Sequence, residues 1–143
     1  MKELPIKIIT ISVLAGFISA CGSAAYEYRK DPIVTEISVP LNQTVVAGQT
    51  GLSVQFDKVE SDSRCPVNAK CLWSGVAIIK ATVKNQKGES KALRLSTVNY
   101  ESYNNTEEVF GKDITLLELL PAPIAGKPAQ PEVMPATIKL KID

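Results

Sequence analysis

Along most of the chain, apolar and polar residues alternate in short runs. Ile37 and Val39 are interleaved with Glu36 and Ser38, and Leu52, Val54 and Phe56 with Ser53, Gln55 and Asp57. Leu93 and Leu95 flank Arg94, and Ile138, Leu140 and Ile142 enclose Lys139 and Lys141. A two-residue period puts one side chain in two on the same face, which is the pattern of a half-buried strand. Thr44–Val46 is a short β-branched run that closes at Gly48, with a second turn at Gly51. Val76–Val83 is longer and β-branched, and ends at Asn85-Gln86-Lys87-Gly88, a good hairpin turn. Ile114–Leu120 reads as a strand buried on both faces, although Leu116–Leu120 has the propensity for a helical turn. No useful window holds a helical period.

Seven short strands separated by turn signals predict an all-β domain, an antiparallel immunoglobulin-like β-sandwich over residues 33–143. Two stretches break the pattern. Asn99–Glu108 (NYESYNNTEE) is polar and reads as an exposed loop. The stretch from Pro121 to Pro135 carries Pro121, Pro123, Pro128, Pro131 and Pro135. Proline cannot donate to a sheet ladder, so this stretch reads as a long crossover loop. A proline-rich ligand is the alternative, but few basic neighbours accompany the prolines.

Residues 1–20 do not fit the sandwich. Lys2 and Lys7 precede an apolar run from Ile8 to Ile18 that is shorter than the ~20 residues a spanning helix needs. Ile18-Ser19-Ala20-Cys21 follows. This tetrad resembles the lipobox of bacterial lipoproteins: an aliphatic residue, two small residues, then cysteine. The resemblance implies cleavage before Cys21, diacylglycerol on its thiol and acylation of the new amino terminus. Several chains hold a protein stably on a bilayer where one does not. Gly22 stands where aspartate would favour the inner membrane in Gram-negative lipoproteins, so the family habit implies the outer membrane, facing the periplasm. Residues 21–32 then read as the lipidated cysteine and a tether; Gly22–Asp31 can stretch to about 33–36 Å.

Lys and Arg number 16 and Asp and Glu 15, a net charge of +1. Taking away Lys2, Lys7 and Glu3 with the leader makes the two signs equal. Nucleic-acid binding calls for a cationic excess, so nucleic acid is an unsuitable partner. There is no histidine, which removes the commonest general base and metal ligand. The cysteine count is 3. With Cys21 lipidated, Cys65 and Cys71 remain, and in an oxidising envelope they are expected to form a disulfide. Zinc would need further ligands, and a redox pair usually has tighter Cys-x-x-Cys spacing.

The segment from Asp62 to Gly75 is the most distinctive in the chain. It reads Asp-Ser-Arg-Cys-Pro, four residues, then Cys-Leu-Trp-Ser-Gly. It resembles a group of secreted bacterial lipoproteins that carry this motif between two strands of a small β domain. That resemblance supports the fold and the disulfide and implies no activity. Read residue by residue, Asp62 and Ser63 suit turn amides, and Arg64 can bridge Asp62 or strand-end carbonyls. Trp73 is expected to pack on the disulfide or the sandwich edge, and Gly75 to permit close backbone approach. The alternative is that Arg64, Lys70 and Trp73 together display a binding surface.

Nothing in the chain spells out catalysis. A Ser-His-Asp triad is impossible without histidine. Asp57, Glu60 and Asp62 are the nearest thing to paired carboxylates or a calcium set, but they lack the Asp-x-Asp-x-Asp-Gly loop, and a solvated face accounts for them. Asn42-Gln43-Thr44 and Asn104-Asn105-Thr106 match the glycosylation pattern by chance. The expectation is a lipid-anchored, non-enzymatic binding or structural module of the cell envelope, without cofactor or metal, whose partner is an envelope protein or glycan. An inhibitor of an envelope hydrolase is the alternative, and a carboxylate-based hydrolase a weaker one.

Overall fold

The computed structural model describes residues 34–127 and 135–143. The leader, Cys21, the tether and part of the proline-rich stretch lie outside the described residues. Eight strands form two four-stranded antiparallel sheets. They are β1 (Thr35–Pro40), β2 (Thr44–Val46), β3 (Leu52–Asp62), β4 (Ala77–Asn85), β5 (Ser90–Ser96), β6 (Thr106–Val109), β7 (Lys112–Leu120) and β8 (Thr137–Ile142). One sheet has the order β1-β8-β7-β6 and the other β2-β3-β4-β5. The layering is the expected sandwich. Within the sheets β2–β5 and β6–β8 follow one another as neighbours, the β1–β2 and β5–β6 connections cross between the sheets, and β1 closes against β8.

The alternation decides which side chains meet. Val39, Ile114, Leu116, Leu119, Ile138, Leu140 and Ile142 point inward from the first sheet, and Val54, Phe56, Ile79, Val83, Leu93 and Leu95 from the second. Each such side chain contributes ~1.5–3 kcal/mol on burial. β7 contains the segment with helical propensity, but the ladder to β8 and the shared core outweigh it. An extra residue at Leu117 shifts the register between Leu116 and Glu118, and Leu117 is left exposed.

One strand departs from expectation. Thr106–Val109, read partly as loop, is β6 and pairs with β7. Only Val109 in it is fully buried, so its sequence shows almost no apolar period. Its pairing partner makes it a strand.

The register fixes the two ends of the sandwich. At one end Thr35 pairs with Ile142 and Ile142 with Ile114; at the other Pro40 pairs with Thr137 and Thr137 with Leu120. In the second sheet Leu52 pairs with Asn85 and Asp62 with Ala77. The loop following Asp62 bonds to Leu119 and Pro121, so it caps the Leu120 end. The chain therefore enters the sandwich at Thr35, at the end opposite the cysteine loop.

Candidate functional site

The loop between β3 and β4 first continues the ladder that precedes it. The Ser63 amide donates to the Val76 carbonyl at 2.8 Å and the Cys65 amide to the Ser74 carbonyl at 2.7 Å. Beyond this neck, Cys65 and Cys71 are joined by a disulfide with their Cα atoms 6.0 Å apart. Gly75 occupies a left-handed conformation, φ +69°, tightly against the Ser63 backbone.

Arg64 ties the loop to the other sheet. Its Nε and Nη2 donate to Oδ1 and Oδ2 of Asp62 at 2.8 and 2.6 Å, the two-pronged geometry suited to guanidinium. The remaining donors reach the Leu119 carbonyl and, at 3.0 Å, the Pro121 carbonyl. The side chain is 15% exposed. Burial alone would raise the Asp62 carboxyl, but the side-chain and backbone hydrogen bonds from Arg64 and its charge outweigh it, and the carboxyl titrates below its ordinary value. A second clasp lies further out. The Val67 amide donates to the Pro123 carbonyl at 3.0 Å, and the Ala125 amide to Asn68 Oδ1 at 2.7 Å. Asn68 Nδ2 returns a longer bond to the Ala125 carbonyl, 3.4 Å.

These contacts lock residues 63–75 and 121–127 into one apex, and they separate the three residues singled out as a display surface. Arg64 faces inward and is taken up by Asp62 and the β7 end. Lys70 and Trp73 face solvent. Trp73, expected on the disulfide or the sandwich edge, is 57% exposed and is not part of the core. Three apolar residues not singled out from the sequence join it on the locked loops: Val67, fully exposed Leu72 and Ile124. Val67 and Leu72 lie inside the motif, but no period distinguishes an outward apolar residue in a loop from an inward one. Tyr100, also exposed, is on the loop after β5 at the same end of the sandwich.

The carboxylates considered for catalysis are dispersed. Asp57 accepts from the Thr82 hydroxyl at 2.8 Å, and Asp62 is held by Arg64. Glu60 pairs with Arg94 at 2.6 Å and Lys80 at 3.2 Å, and hydrogen bonds from both lower its pKa. Among the described residues no three Asp, Glu, Cys or His side chains gather as a metal set. A shallow depression at the opposite end is lined by Thr50, Gly51, Gln86, Lys87, Phe110 and Lys112, among others. No carboxylate or thiol lines it among the described residues.

No family model, curated protein or solved structure matches the chain.

Proposed function

We propose that the protein is a lipid-anchored, non-enzymatic binding module of the cell envelope, held through Cys21 and facing the periplasm from the outer membrane. The observation that carries this reading is the division of labour between the two ends. The chain enters at Thr35, and the locked apex projects Trp73, Leu72 and Val67 from the far end. A pre-ordered loop loses little conformational freedom on binding, which favours recognition. The tether then supplies position and the apex supplies contact.

The same locked loop supports a second reading, an inhibitor that inserts the apex into the cleft of an envelope hydrolase. Both require the anchor. Intact mass of protein extracted from membranes is expected to correspond to a chain beginning at Cys21 with attached acyl groups, and Cys21→Ala to lose that mass and leave the washed membrane fraction. A chain with a free Cys21 thiol in the membrane fraction would overturn the reading.

A further inference from the structure

We infer that the apex is a second membrane contact, its occupant being the interfacial region of a phospholipid bilayer with anionic headgroups. The inference rests on the reading of the apex as the display surface and names what that surface meets.

Three features of the apex point to lipid. First, its exposed side chains combine aliphatic residues with one tryptophan: Val67, Leu72, Ile124 and Trp73. Aliphatic side chains enter the acyl boundary, while an indole rests at headgroup level with its N–H still in a polar layer. Second, Lys70 and Lys127 stand exposed on the same two loops without an ion-pair partner among the described residues. Residues 63–75 and 121–127 contain no acidic side chain, and Arg64 is neutralised by Asp62. Glu101 is the acidic residue of the neighbouring loop after β5. Lysines beside an apolar tip suit an anionic lipid surface.

The third feature is shape. Leu72 is as open as in an extended peptide, and Val67 is 70% exposed. These are projections, whereas a protein partner would have to supply a concavity matching each of them. A bilayer accommodates any convex tip. A second copy is a poor occupant, because apex-to-apex pairing would bring Lys70 and Lys127 against their own copies. A glycan would call for more stacking aromatics than Trp73 alone provides on these two loops. The tether length does not prevent the contact: ten residues such as Gly22–Asp31 have a maximum reach of about 33–36 Å, about the length of β3, so a domain lying along its bilayer can touch with both ends.

Trp73 is the only tryptophan in the chain and is its own reporter. The mature acylated protein is reconstituted into vesicles of phosphatidylethanolamine and phosphatidylglycerol, with and without brominated acyl chains. Trp73 emission is expected to be lost in the brominated vesicles, more with bromines near the headgroup than near the chain end. Leu72→Asp, at a fully exposed position, restores the emission while the protein remains on the vesicles. Replacing Lys70 or Lys127 by Gln lowers the ratio of inserted to free apex about fivefold each. Equal emission with and without bromine overturns the proposal. Adding envelope extract then separates the two ideas. If Trp73 becomes shielded from acrylamide, the display reading stands with a protein or glycan as occupant. If Trp73 stays accessible, both readings fall.

Discussion

A Cβ placed on Gly75 would lie 2.0 Å from the carbonyl oxygen of Ser63 and 2.9 Å from the Cα of Arg64. Both obstacles are backbone atoms at the neck of the apex, where Ser63 and Val76 exchange hydrogen bonds. No rotamer change relieves such an overlap. The left-handed φ adds its own cost, about 1–2 kcal/mol for a residue with a side chain. Gly75→Ala is therefore expected to destabilise the domain by more than ~2 kcal/mol in urea unfolding. Gly88→Ala is the control: φ is +85° with nothing within 4 Å, so only the conformational cost applies. Equal losses for the two variants would show that the neck yields.

Arg64 joins the two sheets at one end through the Leu119 and Pro121 carbonyls while engaging Asp62 with two donors. Truncation removes the guanidinium bonds to the Leu119 and Pro121 carbonyls and leaves the Asp62 carboxylate only the backbone amide of residue 64. Arg64→Ala is expected to cost about 1–3 kcal/mol, read as a lower melting temperature. Arg64→Lys is expected to recover little, because an ammonium cannot reproduce the planar fork. Lys70→Ala, an exposed change, is expected to stay within ~0.5 kcal/mol of wild type. An unchanged melt for Arg64→Ala would return Arg64 to the binding surface.

The disulfide closes a short loop, for which chain entropy predicts about 2–2.5 kcal/mol of stabilisation. Peptide mapping of protein taken from the envelope should find Cys65 linked to Cys71. Cys65→Ala is expected to cost ~2–5 kcal/mol, the usual range for a small secreted domain. The clasps from Val67 to Pro123 and between Asn68 and Ala125 do not depend on sulfur chemistry, so part of the apex order should survive in amide exchange.

The Asp62 carboxyl titrates lower in the folded chain than its unfolded value near ~3.9, because the bonds from Arg64 favour the charged form. Its contribution to stability is complete above the unfolded pKa and is lost as pH falls through the folded one. Glu60 acts in the same direction through Arg94 and Lys80. Asp62→Asn removes only the first contribution. The wild type is expected to exceed Asp62→Asn in urea midpoint at neutral pH, and the gap to close as pH falls below ~4. A gap constant down to strong acid would show that the Asp62 carboxylate does not help hold the apex.

The sequence by itself determined the β-sandwich, because a two-residue period leaves inward and outward faces no alternative in Leu52–Phe56 or Ile138–Ile142. It also marked the cysteine pair, which remains once Cys21 is assigned to lipid, and the neck glycine, whose missing Cβ permits close backbone approach. It could not show β6, whose period is nearly all polar and which is a strand only because Lys112–Thr115 lies beside it. Nor could it distribute the motif between fold and surface. Arg64 turned inward because the carbonyls of Leu119 and Pro121, more than fifty residues away, lie within reach of its fork. Trp73 and Leu72 of the same motif remain at the surface. Local pattern specifies which face of a strand is apolar, but the direction of a loop side chain depends on what the rest of the chain brings beside it, and only the tertiary structure decides that.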